Sequence, residues 1–134
     1  MNKTFCLIRI STGKQDFDSQ LEGIKNYCQD NNIELLDDHI IKEYNVSGYK
    51  TELENREGLN KVLKLAEGGL IDTLIIFNLD RIGRRTDLLP FITGMTLAGV
   101  KIISVTEGLI NQGNDIDELL AFIKLWSSQG ESKK

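Results

Sequence analysis

Two short runs bring together residue types that make and break phosphate esters. The first is Arg9-Ile10-Ser11-Thr12. Residues two apart on a strand point to the same side, so the Arg9 guanidinium would stand beside the Ser11 hydroxyl. A neighbouring cation favours the alkoxide, the nucleophilic form of serine. The same residues, followed by Gly13, also read as an ordinary turn, because Ser, Thr and Gly are turn formers. The second run is Leu79-Asp80-Arg81-Ile82-Gly83-Arg84-Arg85. If residues 81–85 begin a helix, Arg81, Arg84 and Arg85 fall within one turn, and the first two share a face. Guanidinium forks match phosphate oxygens and keep their charge, which suits stabilising the transition state of phosphoryl transfer without a metal. The competing reading is a solvated helix start with Asp80 as its N-cap. Three cations at a helix N-terminus oppose the macrodipole, and that misfit favours function over capping.

The elements that must carry these runs alternate along the chain. Phe5 to Ile10 reads as a buried strand that emerges into a polar loop at Ser11. Gln20, Leu21, Ile24, Tyr27 and Cys28 recur at helical spacing, Asn31-Asn32 closes that helix, and Ile33 to Leu36 opens a second extended run. Residues 44–56, with Ser47-Gly48, read as a loop, and Leu59, Val62, Leu63 and Ala66 mark a helix ended by Gly68-Gly69. Ile71 to Phe77 is the most strand-like stretch, followed by a helix through Leu88, Leu89, Ile92 and Met95 to Gly99. Val100 to Val105 is another strand, and Ile116 to Trp126 a last amphipathic helix. This alternation predicts a three-layer α/β fold, a mostly parallel sheet of four to five strands flanked by helices, with its site at the carboxyl edge of the strands. Both arginine-bearing runs leave a strand at that edge.

The bulk properties narrow the class. With 134 residues, 40% hydrophobic and 27% charged, the chain is sized and composed as one folded domain. Its apolar runs are too short to span a bilayer and its N-terminus lacks a signal-peptide layout, so the expected setting is the cytosol, without membrane contact. Cys6 and Cys28 form neither a disulfide framework nor a CxxC motif, and with one histidine no soft-metal site is expected. Net charge is −4, and the acid is localised: residues 15–60 hold eleven acidic and four basic residues, residues 1–14 none and three, and residues 61–134 nine of each. A polyanion site here must rest on a few placed arginines, with DNA affinity supplied largely by something else.

In order along the chain, Arg9-Ile10-Ser11-Thr12, Gln15 and Gln20, Val46-Ser47-Gly48, Arg56-Glu57-Gly58-Leu59, Leu79 to Arg84, and Gly99-Val100 resemble the signature of the resolvase/invertase family of serine recombinases. The resemblance spans almost the whole chain. It implies a resolvase-like catalytic domain over residues 1–134 that carries out site-specific recombination on duplex DNA. By the same resemblance Ser11 is the nucleophile, joining a 5′ phosphate and freeing a 3′ hydroxyl. Arg9, Arg81 and Arg84 surround the scissile phosphate, and Asp80 is the acid beside them, orienting an arginine or handling a proton. Gln20 and Arg56 are supporting site residues, Arg56 reaching in from the loop after Ser47-Gly48, and Gln15 is a weaker candidate. The chemistry implied uses no metal and no nucleotide cofactor, because the phosphoserine ester keeps the bond energy for rejoining.

Three further expectations follow from the resemblance. Trp126 to Glu131 matches the start of the long helix through which family subunits pair, so residues 126–134 are expected to begin a dimerisation helix, with dimers and synaptic tetramers in the full-length protein. The DNA-binding region is expected to lie outside this sequence, in a protein of bacterial, phage or mobile-element origin, and this chain alone should bind DNA only weakly. Family members place an acid shortly before the Ser-Gly pair, where Glu43 and Tyr44 straddle the position, and neither is assigned. Against the enzyme stands a regulatory or dimerisation module of the same fold. A receiver-like signalling domain would place acids, not arginines, at the strand ends. His39 reads as an ordinary partly buried residue, Trp126 as core or interface, and Asp16, Asp18 and Glu22 as a solvated helix start rather than a metal site.

Overall fold

The computed structural model describes residues 1–10, 14–44, 56–83 and 85–111, without the side chains of Lys14, Gln15, Arg85, Thr86, Asp87 and Leu109. Strand β1 (Thr4–Ile10) is followed by α1 (Lys14–Asp30), a single 3-10 turn (Asp37–His39) and β2 (Ile40–Tyr44). Helix α2 (Glu57–Glu67) leads to β3 (Thr73–Ile76), then the one-turn α3 (Leu79–Ile82), α4 (Arg85–Leu97), β4 (Lys101–Ser104) and a two-residue β5 (Gly108–Leu109). The sheet order is β2-β1-β3-β4-β5; the first four strands are parallel and β5 returns antiparallel to β4.

Alternation along β1 divides the core into two layers. Phe5 and Leu7 join Leu59, Val62, Leu88, Ile92 and Met95 on the α2/α4 side, whereas Cys6 and Ile8 join Ile24 and Cys28 beneath α1. Burial holds both thiols above their ordinary value, Cys6 at about 12, so they stay protonated fillers. Three helices stop by one device. Asn32, Gly69 and Gly99 each take a left-handed φ of 56°, 70° and 80°. In each case the next N–H reaches five residues back, Ile33 to Cys28, Leu70 to Leu65 and Val100 to Met95, at 2.8–2.9 Å.

The structure corrects the sequence reading in three places. Residues 33–36 are not a strand: the ladder with β1 begins only at Cys6↔Ile40, and the chain before it runs along the rim, with the Glu34 carbonyl held by Asn2 at 2.9 Å. The single helix expected after Asn78 is two, because Gly83 is extended (φ 170°) and ends α3 before α4 starts at Arg85. Strand β5, only two residues long, has no period to announce it. The expected helix over residues 116–126, and the segment 126–134, lie outside the described residues.

Candidate active site

The site forms where β1 and β3 part. Their ladder holds only Thr4↔Thr73, Phe5↔Leu74 and Cys6↔Ile75, whereas β1 stays paired with β2 through Ile10↔Tyr44. Chain connections leave this point in opposite directions, to β2 on one side and β3 on the other, and a crevice at the carboxyl ends of such strands is where open α/β sheets bind ligands. Helix α3 lies against β1 there.

Four groups fix α3. The Asn78 side chain caps it, accepting from the Arg81 N–H at 2.8 Å, so the cap is Asn78 and not Asp80. Glu107, after β4, accepts from the Leu79 N–H at 2.9 Å and from the Ser104 hydroxyl at 2.9 Å. At the other end Arg9 Nε donates to the Arg81 carbonyl at 2.7 Å, and Arg56 Nη2 to the Ile82 carbonyl at 2.7 Å. A helix of one turn cannot hold itself by its own hydrogen bonds. Side chains from three other segments hold it instead, and Arg81 is thereby set beside Arg9.

Below Arg9 lies a buried ion pair. Glu43, the register partner of Arg9, turns inward and is 2% exposed, whereas Tyr44 points to solvent. Arg56, fully buried, donates to Glu43 Oε1 from Nε (2.9 Å) and Nη2 (2.5 Å), and the Gly58 N–H donates to Oε2 at 2.7 Å. Glu43 thus serves the N-terminus of α2, where a carboxylate is favoured. A side chain at Gly58 would bring its Cβ within 2.9 Å of Leu7 and 3.0 Å of Glu43, so glycine permits this close approach. Arg56 therefore sits under the site, and its Nη1 is buried with no hydrogen-bond partner among the described residues. Burial and the Arg56 charge push the Arg9 pKa below its ordinary value; Glu43 opposes that, and Arg81 adds to it. An incoming anion would relieve the same crowding.

Above the crevice, α1 presents Asp16, Gln20 and Gly23 along one stripe at helical spacing. Gly23 lies against Phe77, which a Cβ there would meet at 2.6 Å, so α1 lies close over the end of β3. Gln20 is buried, and its amide donates to the Arg9 carbonyl (3.2 Å) and to Asp16 Oδ2 (3.0 Å), while its own Oε1 has no partner among the described residues. Asp16 also forms an ion pair with Arg81, whose guanidinium lies 5.8 Å from the Phe77 ring centre.

Of the residues singled out in the sequence, the structure gathers Arg9, Gln20 and Arg81 at one place and puts Arg56 beneath them. Asp80 is exposed on the first turn of α3, with no hydrogen bond or ion pair among the described residues. Ser11, Arg84, Ser47 and Gly48 lie outside the described residues, as do the side chains of Gln15 and Arg85. Asp16, Glu43 and Glu107 are site residues that sequence reasoning misses. Glu43 has two signals, the family's acid before the Ser-Gly pair, which leaves Glu43 and Tyr44 unassigned, and its alternation with buried Ile41 on an inward strand face. His39 stacks on Phe5 with ring centres 3.8 Å apart, its Nδ1 2.9 Å from the Thr4 carbonyl, and so tethers the start of β2.

The fold is shared with known proteins. The family model described as "Resolvase, N terminal domain" matches residues 4–134. Among solved structures, the N-terminal catalytic domain of TP901-1 integrase superposes with a TM-score of 0.71, at 19% identity over 98% of each chain. A resolvase family site-specific recombinase from Streptococcus pneumoniae gives 0.64, at 20% identity over 98% of this chain and 90% of that one. The C-terminal catalytic domain of ISC1926 TnpA, an IS607-like serine recombinase, gives 0.59, at 29% identity over 76% and 69%. A comparison with curated protein sequences found no match. The family match over residues 4–134 defines the chain as a serine recombinase. The chain belongs to the resolvase family through its N-terminal domain, and its general activity is site-specific recombination of DNA. Among the described residues no helix is long and apolar enough to cross a membrane.

Proposed function

We propose that Ser11 cuts duplex DNA by attacking a backbone phosphorus. The Oγ–P bond forms, the P–O3′ bond breaks, and the leaving oxygen departs as a 3′ hydroxyl while the 5′ phosphate stays on serine. Strand exchange and attack by a new 3′ hydroxyl reverse the step, so no nucleotide is consumed. Arg9, Arg81 and Arg84 are assigned to the phosphate, where their fixed charges take up what develops in the transition state and no metal ion or other cofactor is called for. The observation that carries this reading is the side-by-side fixing in the crevice of Arg81 and of Arg9, the residue two before Ser11 in the chain. Gln20 holds the end of β1 in place and Arg56 supports α3 from beneath, and Gln15 is assigned a supporting role toward the DNA phosphate. Asp80, with no partner on α3, is assigned to the proton of the leaving oxygen.

On this reading residues 1–134 are the catalytic domain, residues 126–134 begin the pairing helix of a dimer that assembles into a synaptic tetramer, and target choice belongs to a DNA-binding region elsewhere in the protein. The acidic balance of the sequence supports that division. Incubation of the full-length protein, or of this chain fused to a DNA-binding domain, with a duplex carrying the cognate site, in EDTA, should trap a covalent 5′-phosphoseryl adduct that Ser11→Ala loses. An adduct persisting in that variant, or one formed only with added metal, refutes the proposal.

A further inference from the structure

Asp16 is the one anion that the described structure places on Arg81. The pair is open to solvent, with Arg81 42% and Asp16 22% exposed, and it sits at the mouth of the crevice rather than under it. Asp16 is also tied to Gln20, which in turn holds the Arg9 carbonyl, so the carboxylate is fixed on the same network that fixes the two arginines. Asp16 meets the Arg81 guanidinium through Oδ1 while Gln20 holds Oδ2, so a carboxylate oxygen stands where a non-bridging oxygen of a phosphodiester, of the same charge, would stand.

We infer that Asp16 is a further residue of the phosphate site, an internal anion that occupies Arg81 until a DNA phosphate displaces it. The inference rests on the assignment of Arg81 to the phosphate. Its consequence is discrimination. A phosphate must out-compete a tethered carboxylate, which a single loosely placed strand does poorly and a strand held in register by the rest of the assembly does well. Asp16 therefore lowers the affinity of the crevice for stray DNA while leaving the nucleophile and the arginines in place.

The test measures binding of this chain to a fluorescein-labelled duplex as salt is raised. Asp16→Asn keeps an oxygen for the Gln20 amide but loses the charge. It should bind about two- to five-fold tighter at low salt, the range expected for a partly exposed ion pair, and show a steeper salt dependence. In an Arg81→Ala background the same change should gain nothing, and Asp18→Asn, an equal change of charge on an exposed neighbour, should gain little in either background. Unchanged or weaker binding of Asp16→Asn overturns the inference, as does a gain that survives in Arg81→Ala. If Asp16→Asn melts early, Asp16→Ser, which also removes the charge, is read in its place by the same criteria. Loss of the Ser11 adduct reports on cleavage alone, so failure of that assignment is seen separately from failure of this one.

Discussion

Two ion pairs flank Arg9, and they are built in opposite ways. Arg56 and Glu43 are sealed from water, with three hydrogen bonds to the carboxylate and one to the Ile82 carbonyl, between β2 and α2. Arg81 and Asp16 meet at the surface between α3 and α1. A buried pair that loses one partner leaves a bare charge in a poor dielectric, whereas an exposed pair surrenders its partner to water or to a competing anion at little cost. The same two kinds of side chain thus make scaffold in one place and an exchangeable binding group in the other.

The largest effect is expected at Arg56. Arg56→Ala strands the Glu43 carboxylate and should cost about 3–5 kcal/mol of folding stability in urea melts; a loss under about 1 kcal/mol would show the pair to be no scaffold. Next comes Arg81→Ala, which should reduce strand cleavage about 100- to 1000-fold, the cost typical of losing one preorganised charge-stabilising group, while the melting curve stays nearly in place. Cleavage at the wild-type rate would remove Arg81 from the phosphate. At Glu107 the effect is smaller: Glu107→Ala should destabilise by about 1 kcal/mol as a lost cap and slow cleavage through misplacement of α3. Glu107→Gln, which retains an acceptor for the Leu79 N–H, should restore the rate; equal defects in both would count against positioning. Smallest is the stability change in Asp16→Asn, under about 1 kcal/mol, against the several lost at Arg56.

How much of this is legible in the sequence depends on the range of each interaction. Strand ends and helix faces show as local periods, so the placing of Arg9 and Arg81 at one sheet edge follows from residue patterns alone. Asp16 with Arg81 is a pairing across 65 positions and Glu43 with Arg56 one across 13; neither has a period to betray it. Asp16 escapes notice because an acid in the first turn of a helix already has a sufficient local reason in the helix dipole. Arg56, conversely, reads as an arginine reaching into the site from a loop, because nothing local says that an inward Glu43 waits for it. The split between α3 and α4 hides behind one glycine, whose extended backbone a helical pattern of apolar residues on both sides conceals.

Arg81 gives its architecture and its chemistry to different atoms. Its N–H and carbonyl bind Asn78 and Arg9, and any residue supplies those; only the guanidinium faces the crevice, half open to solvent. The position therefore lends itself to chemical complementation: with the side chain cut back to alanine, free guanidinium from solution can occupy the vacated space above Phe77 and lend its charge to the reaction, dose by dose. Arg56 offers no such entry, since its side chain is fully buried.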